Sequence, residues 1–326
     1  MITPLPATNQ PVITWKTSHG SIRIVPGRGR VLGMEISGHE SLWTPAENSA
    51  QWNLGGERLW IGPEADWHWL RLGEPDFAFY QVPPALDPDI WSVEQLRDGF
   101  FSGSLEVEVR SPHRDAHLKV RLTRSFELLP VEDLAAPASG IALRTTTGME
   151  ILDGTHGQPV DLWSLLQIRS GGSLLIPSVG HALPRDYFSP APASEFSVHP
   201  TYTEIHIRCI AMFKLGLAAA HSAGRIAYAR PVPGGHLILT RSFPVYPDLF
   251  YCDSPLDALD TQGDALQFFC DDGSFGGFGE MEHRSPALRC GVGPQSFTEV
   301  ATTRLLLLSD AEFADWKTQW INPTSV

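Results

Sequence analysis

Alternation of apolar and polar residues with a period of two constrains the fold of this 326-residue chain more than any other feature. Successive side chains of a strand point to opposite faces, so this period is typical of sheets with one buried face. The clearest segments are SIRIV, SLEVEV, HLKVRLTRSF, EIHIRCI, RIAYA and HLILTRSF, and 29 Gly and 27 Pro punctuate the sequence. Many short strands between turns predict an all-β sandwich or barrel. Because all-β folds often remain one unit at this length, we expect a single domain over residues 1–326.

One short helix is expected, at the C-terminal end of the chain. The segment Asp310–Trp320 begins with a candidate N-cap, Asp310. Its aromatic residues recur at i, i+3 and i+7, and they are Phe313, Trp316 and Trp320. Elsewhere the period of two predicts no helix longer than about 15 residues.

The pentapeptide LTRSF occurs twice, at Leu122–Phe126 and at Leu239–Phe243. Five residues are too few to establish an internal repeat. Two similar strands, one in each of two sheets, would produce the same coincidence.

Charge and cysteine content exclude several classes of protein. The chain has 37 acidic and 24 basic residues, a net charge of −13, and it lacks the basic stripe that nucleic-acid binding needs. No apolar run approaches the roughly 20 residues of a membrane helix, and the first residues do not resemble a signal peptide. None of the four cysteines lies in a C-x-x-C pair, which argues against a zinc site. We expect a cytoplasmic monomer or homodimer with reduced thiols, no metal, and neither a nucleic-acid nor a membrane partner.

The stretch GGERLWIGPE, residues 55–64, places an arginine and a tryptophan two positions apart just after a glycine pair. On a strand, Arg58 and Trp60 share one face, while Leu59 and Ile61 share the other. A planar five-donor guanidinium beside a flat aromatic ring suits a ligand with hydroxyls on its rim and C–H bonds on its face. A sugar is such a ligand, and Glu64 at the end of the stretch is a further candidate to bind it.

Four tryptophans fall within 18 residues, and they are Trp52, Trp60, Trp67 and Trp69. Taken singly, each is more readily explained as core filling, since tryptophan is highly buried on average. The cluster as a whole is better explained by a binding groove.

The stretch GEMEHRSP, residues 279–286, contains two glutamates on one strand face. Glu280 and Glu282 alternate with Met281, which points to the other face. A solvated edge strand explains the pattern without any function. Alternatively, a carboxylate in a concave site acts as a general base when burial and its neighbours set its pKa suitably.

Further candidates are distributed along the chain. Lys214 interrupts the apolar stretch FKLGLAAAH and either reaches over its small neighbours into a cleft or extends to solvent. In DLWSLLQI, Trp163 and Gln167 share a face, where Gln167 is either a ligand contact or a satisfied core amide. Loop candidates are His181, in the long excursion of residues 178–203, and Tyr251, in a proline-punctuated loop.

Several stretches carry a resemblance to a known family. GGERLWIGPE is similar to the Gly-Gly-x-Arg-Leu-Trp-x-x-Pro-Glu stretch near the start of uncharacterised members of the galactose mutarotase-like superfamily. DLWSLLQI, FKLGLAAAHSAGRIAYA and GEMEHRSPALRCGVGPQSFTEVATTRLLL follow in the same order as in those proteins, so the resemblance spans residues 50 to 320 or so. It implies a large antiparallel β-supersandwich, as in aldose 1-epimerases, in which a concave face binds a sugar.

The resemblance also implies an acid–base site. Mutarotases of this superfamily have an arginine on an early strand, a histidine acid and a late glutamate base. Arg58 matches the arginine, and Glu282, or Glu280 on the same face, matches the glutamate. The Asn-His-x-Tyr-Phe-Asn stretch of the family corresponds to DLWSLLQI, which has no histidine. The candidates for the acid are therefore His156, His181 and Lys214.

The function that the resemblance implies is that of an aldose 1-epimerase-type enzyme acting on a small carbohydrate. A base takes the proton of the anomeric hydroxyl, an acid protonates the ring oxygen, and the opened ring closes on the other face. This chemistry needs neither a metal nor an organic cofactor. One alternative is a sugar-binding protein without turnover, and another is a partner-binding scaffold. A lyase or hydrolase on the same scaffold is a third. Hydrolysis requires two carboxylates about 5 to 9.5 Å apart on either side of the scissile bond. Glu280 and Glu282 are neighbours on one strand face, so they flank such a bond only together with a third carboxylate such as Glu64.

Overall fold

The computed structural model describes residues 2–4, 11–45, 53–74, 76–87, 90–130, 140–180, 182–258 and 261–322. In this part of the chain the strands are β1 (Ile2–Pro4), β2 (Pro11–Lys16), β3 (Gly20–Val25), β4 (Arg30–Ile36), β5 (His39–Glu40), β6 (Glu57–Gly62), β7 (Ser92–Arg97), β8 (Phe100–Arg110), β9 (His117–Leu129), β10 (Gly140–Gly154), β11 (Pro159–Arg169), β12 (Gly172–Pro177), β13 (Arg185–Asp186), β14 (Phe196–Val198), β15 (Tyr202–Ile207), β16 (Phe213–Ala218), β17 (Arg225–Val232), β18 (Gly235–Ser242), β19 (Asp264–Cys270), β20 (Phe278–Arg284), β21 (Leu288–Arg289) and β22 (Ser296–Leu308). The α-helices are α1 (Glu64–Trp67) and α2 (Asp310–Trp320). The all-β prediction is confirmed.

The strands form two antiparallel sheets. The larger has twelve strands in the order β1-β2-β3-β4-β6-β11-β20-β19-β16-β13, with β5 paired to β4 and β21 to β11. The smaller has ten strands in the order β14-β15-β12-β17-β18-β22-β10-β9-β8-β7. Both orders are open paths, so the fold is a sandwich and not a closed barrel.

The main core lies between the two sheets. Strand β16 contributes Phe213, Leu215 and Leu217 from the larger sheet, while β18 and β22 contribute Leu239 and Leu305 from the smaller. Alternation along β16 therefore directs Lys214 to the opposite, outer face of the larger sheet. Side chains that face away from the core on this sheet are the ones that build the site.

Strand β20 lies in the interior of the larger sheet, between β11 and β19. All seven of its residues are buried, so the solvated-edge explanation for Glu280 and Glu282 is wrong. Met281 joins the core between the sheets. The two glutamates project from the outer face, as the alternation predicts.

The two LTRSF segments are related by a shared ion-pair partner. Both lie in the smaller sheet, in β9 and at the end of β18, so the explanation by one strand in each of two sheets does not apply. Arg124 and Arg241 donate to the same oxygen of Glu57, with N–O distances of 2.5 and 2.9 Å. Burial raises the pKa of Glu57, but the two guanidinium groups outweigh it, so the pKa of Glu57 is lowered. This buried cluster ties the smaller sheet to the first residue of β6, the strand that carries Arg58 and Trp60.

Helix α2 has the predicted bounds but a different cap. Its N-cap is Ser309, which accepts a hydrogen bond from the Glu312 backbone N–H and is capped in return by the Glu312 side chain. A serine at this position satisfies an orphan N–H better than Asp310 can from inside the first turn. The three aromatic residues of the helix pack against the outer face of the smaller sheet. Within the described residues, neither α-helix has the length and apolar character needed to cross a membrane.

Candidate functional site

A cavity of about 360 Å³ opens on the outer face of the larger sheet. Seven residues singled out in the sequence line it, and they are Arg58, Trp60, Glu64, Trp163, Lys214, Glu280 and Glu282. The other lining residues are mostly aromatic, and they are Phe77, Tyr80, Gln81, Val82, Phe188, Phe269, Phe275 and Phe278. An apolar cavity with a few convergent polar groups is the usual form of a small-molecule site.

Sheet register brings these residues together from distant parts of the sequence. Trp60 on β6 lies opposite Trp163 on β11. Phe269 on β19 lies between Lys214 on β16 and Glu280 on β20. Directly opposed residues of an antiparallel pair point to the same face. The floor of the cavity is therefore a set of adjacent strands, and its geometry is fixed by backbone hydrogen bonds.

Arg58 binds a carboxylate and stacks on a ring at the same time. Its Nη2 donates to Glu280 Oε1 at 2.9 Å, and its guanidinium carbon lies 4.0 Å from the centroid of Trp60. Glu280 Oε1 also accepts a hydrogen bond from Gln167 Nε2 at 2.8 Å. The spacing of two residues between arginine and tryptophan thus places a planar cation over an aromatic ring, where Glu280 binds it.

Lys214 joins two carboxylates. Its Nζ lies 2.6 Å from Glu64 Oε2 and 3.3 Å from Glu282 Oε2. Burial lowers the pKa of Lys214, but the charges of Glu282, Glu64 and Asp253 outweigh it, so the pKa of Lys214 is raised. The ammonium of Lys214 donates a hydrogen bond to Glu64 and forms an ion pair with Glu282, and it also lies 4.5 Å from the centroid of the Trp163 ring. Lys214 is therefore protonated.

Glu282 is the most deeply buried of the cavity carboxylates, with a side chain that is 0% exposed, against 8% for Glu280. Its Oε2 accepts a hydrogen bond from Trp163 Nε1 at 2.7 Å. Its Oε1 has no hydrogen-bond partner among the described residues. Burial is the largest cause that raises the pKa of Glu282, with Lys214 opposing it and Glu280 adding to it. Oε1 is thus a buried oxygen without a hydrogen-bond partner among the described residues, on a carboxyl group whose pKa is raised.

A second layer of charged residues, which does not line the cavity, contacts the residues that bind Glu282 and Lys214. Arg284 Nη1 donates to Asp161 Oδ1 at 2.9 Å, and Arg284 Nη2 forms an ion pair with Asp253 Oδ2 at 2.8 Å. The guanidinium carbon of Arg284 lies 4.2 Å from the Trp163 ring centroid. Asp253 Oδ1 accepts the backbone N–H of Glu64 at 3.0 Å. Burial raises the pKa of Asp161 to about 6 although Arg284 opposes it. These contacts fix Trp163 and Glu64, which in turn contact Glu282 and Lys214.

The aromatic wall of the cavity is absent from the sequence prediction. Phe77 and Tyr80 come from the segment after β6, and Phe77 makes edge contacts with Phe188 and Phe275 at centroid distances of 5.3 Å. Burial raises the pKa of Tyr80 well above its ordinary value, so its hydroxyl stays protonated. The run FAFY at residues 77–80, close after the tryptophan cluster, is the sequence signal that could have identified this wall.

His68 packs against three of the aromatic residues that line the cavity but does not line it itself. Its ring lies 5.2 to 5.6 Å from the rings of Trp60, Trp163 and Tyr80, and neither ring nitrogen has a hydrogen-bond partner among the described residues. Burial, followed by the charges of nearby cations, lowers its pKa well below the ordinary value. His68 is thus a neutral packing group that supports the aromatic residues.

The three candidates for the acid fall in different places. Lys214 lines the cavity. His156 is exposed in the turn between β10 and β11, away from the lining residues, so the structure removes it from the site. His181 lies outside the described residues.

Gln167 and Tyr251, two other predicted ligand contacts, do not line the cavity. Gln167 is fully buried and does not line the cavity. Its Nε2 donates to Glu280, while its Oε1 has no hydrogen-bond partner among the described residues. Tyr251 is fully buried against Ala219 and Ala265, and its hydroxyl accepts the Tyr246 N–H. The same loop supplies Asp253, which accepts the Glu64 backbone N–H and pairs with Arg284.

Metal ligation has no support in the described residues. No group of three or more His, Cys, Asp or Glu side chains among them is arranged so that it could hold a metal ion. The carboxylates of the cavity are engaged by Arg58 and Lys214 instead.

The fold and the cavity define a large antiparallel β-sandwich protein with a carboxylate- and aromatic-lined pocket on one sheet. Solved structures of the same architecture include a galactose mutarotase-like protein from Lactobacillus casei ATCC 334, with a TM-score of 0.56 and 12% identity, covering 90% of this chain and 99% of that one. A galactose mutarotase related enzyme from Lactobacillus acidophilus has a TM-score of 0.52 and 10% identity, and the match covers 92% of this chain and 98% of that one. Galactose 1-epimerase from Lactobacillus acidophilus NCFM has a TM-score of 0.50 and 11% identity, covering 92% and 95%.

This chain therefore has the galactose mutarotase-like fold, and the fold implied by the sequence resemblance is confirmed. A scan against family models and a search of curated proteins each gave no match. At identities of 10 to 12%, the likeness concerns the fold and carries no residue roles with it.

Proposed function

We propose that this protein is an acid–base isomerase of the aldose 1-epimerase type, which interconverts the anomers of a sugar in the cavity described above. The observation that carries the proposal is the contact between Lys214 and Glu282, an acid and a base held 3.3 Å apart in one sugar-sized aromatic pocket. The shared fold adds support, since one solved protein of this architecture is a galactose 1-epimerase.

Binding would use the aromatic wall and Arg58. Aromatic rings such as Trp60 and Phe269 present flat apolar surfaces to the C–H face of a pyranose. The guanidinium of Arg58 supplies N–H donors in a fixed plane for ring hydroxyls. Because the aromatic rings and the Arg58 side chain are already held by packing, they lose little conformational freedom when the sugar binds.

The chemical step would use Glu282 as base and Lys214 as acid. Glu282 Oε1 takes the proton of the anomeric hydroxyl, while Lys214 donates a proton to the ring oxygen. The C1–O5 bond breaks and C1 becomes a carbonyl carbon. Because both oxygens are bonded to C1, neighbouring groups 3.3 Å apart can reach them together. After rotation about the C1–C2 bond, the reverse transfers close the ring on the other face and restore both residues.

Polarimetry of freshly dissolved aldoses tests the proposal. Wild-type protein is expected to speed the approach to the equilibrium rotation of at least one aldose in a panel. Sugar binding without acceleration for any member of the panel would favour a non-catalytic sugar-binding protein.

The rate of anomerisation should fall on the acidic side of its pH profile with a midpoint above pH 4.5, the ordinary pKa of a glutamate side chain. Burial raises the pKa of Glu282, and a base works only when ionised, so the first-order rate should fall as pH drops through this raised value. Glu280→Gln removes a like charge and should move the midpoint to lower pH. A limb centred at or below pH 4.5 in the wild type contradicts the role of Glu282.

Replacing Arg58 by lysine should weaken sugar binding by about tenfold or more, since a charge-assisted hydrogen bond contributes about 1.5–3 kcal/mol. Lysine keeps the charge near Glu280 but loses the planar group that lies on Trp60. The affinity is measured by NMR titration, with thermal unfolding as a control for folding. Equal affinities in a folded Arg58→Lys protein would exclude Arg58 from ligand contact.

A further inference from the structure

The charges that line the site leave no cation for an anionic ligand among the described residues. Arg58 is paired with Glu280 at 2.9 Å, and Lys214 lies within 3.3 Å of both Glu64 and Glu282. Three carboxylates thus face two cations. An anionic group on a sugar would have to displace a buried carboxylate from its partner before it could be paired itself.

A second cavity of about 460 Å³ adjoins the site and shares Glu64 and Phe188 with it. Its described lining contains no Lys, Arg or His, and its carboxylates are Glu64, Glu74, Asp186, Asp253 and Asp257. Three of these are paired with cations outside the second cavity, since Glu64 pairs with Lys214, Glu74 lies 3.4 Å from Arg71, and Asp253 pairs with Arg284. Asp186 and Asp257 are exposed at this opening. Substituents that extend from the site into the second cavity therefore meet negative charge.

We propose that the site takes uncharged or ammonium-bearing sugars and rejects sugars that carry a phosphate, sulfate or carboxylate group. The inference rests on the proposed function for the location of the sugar, and it adds the charge class of the substrate. Both cavities contribute to the discrimination. The first offers no unpaired cation, and the second places carboxylates where a substituent would project.

The test compares matched sugars on the same protein at low ionic strength. For glucose and galactose series, the probes are the free hexose, its 2-amino-2-deoxy derivative, its 6-phosphate and its uronic acid. The hexose and amino sugar should have kcat/KM values for anomerisation at least about tenfold above those of the anionic sugars, and added salt should narrow the gap. An anionic sugar that is processed as well as the hexose overturns the inference.

Variants at the second cavity distinguish an effect of the charges that line it from an effect of the net charge of the protein. Asp186→Asn with Asp257→Asn should reduce the discrimination against anionic sugars about threefold, since it removes two like charges near the substituent. Glu106→Gln with Glu150→Gln is the matched control, because both glutamates are exposed on the smaller sheet, in β8 and β10. Their loss changes the net charge by the same amount without touching either cavity. An identical ratio in all three proteins contradicts the placement of substituents in the second cavity.

Binding of the same sugars, measured by NMR titration, distinguishes this inference from the proposed function. Tighter binding of the uncharged or amino sugar without any turnover supports the charge class and overturns the isomerase proposal. Turnover that favours a sugar phosphate supports the isomerase and overturns the charge class. Failure of every probe to bind overturns both.

Discussion

Glu282→Gln is expected to lower the rate of anomer interconversion by about 10²–10⁴-fold, the usual contribution of a general base. Glutamine has the shape of glutamate and can still accept the Trp163 hydrogen bond that Glu282 accepts at 2.7 Å. It cannot take a proton from the anomeric hydroxyl. The variant should therefore bind sugar with nearly unchanged affinity, so that the loss lies in kcat and not in KM. The rates are measured by polarimetry, or by exchange NMR where they are fast.

Glu280→Gln is the matched control for this prediction. Glu280 lies two residues away on the same strand face, but its Oε1 is already engaged by Arg58 and Gln167. We expect the control to lose less than about tenfold in kcat, because its role is to orient Arg58. If the control loses more activity than Glu282→Gln, the base is Glu280 and the assignment of the two glutamates is reversed.

Lys214→Met should lower the free energy of unfolding by about 3–5 kcal/mol near neutral pH and abolish turnover. The loss of the ammonium leaves Glu64 and Glu282 buried without the cation that lies 2.6 and 3.3 Å from them. The destabilisation should shrink as pH falls. Burial raises the pKa of both carboxyls in the folded state, so folding is accompanied by proton uptake and is favoured as pH drops through these raised values. Urea unfolding at several pH values measures the effect.

A neutral version of the cluster provides the control. The triple variant Lys214→Met, Glu64→Gln and Glu282→Gln removes the cation together with the two charges that need it. It should recover most of the lost stability while remaining inactive, because no buried charge is left uncompensated. A Lys214→Met protein that is as stable as the wild type at every pH would show that the ion-pair cluster has no energetic role.

The sequence patterns that proved most informative were those with a purely local cause. Alternation alone places Glu280 and Glu282 on one face of β20 and Met281 on the other, since the backbone of any strand has this period. The same reasoning separates Lys214 from the core residues of β16. Strand position within the sheet is not local, and for this reason the edge-strand explanation of β20 could be advanced from the sequence and yet be wrong.

Sequence patterns could not predict the roles of residues that depend on tertiary contacts. The two LTRSF segments look like a repeat, but their arginines are related by Glu57, a residue far away in sequence. Tyr251 and Asp253 are two positions apart on one loop, and only the packing of that loop decides which of them faces Arg284. Phe77 and Phe188 come from separate segments and pack against each other in the lining of the cavity, a contact without any periodic signal.

The most direct test of the central claim is exchange NMR between the two anomeric protons of an uncharged aldose at equilibrium. The protein is predicted to raise the exchange rate in proportion to its concentration, and Glu282→Gln to remove nearly all of the increase. An exchange rate equal to that of buffer for every aldose that binds the wild-type protein would contradict the claim that this site interconverts anomers.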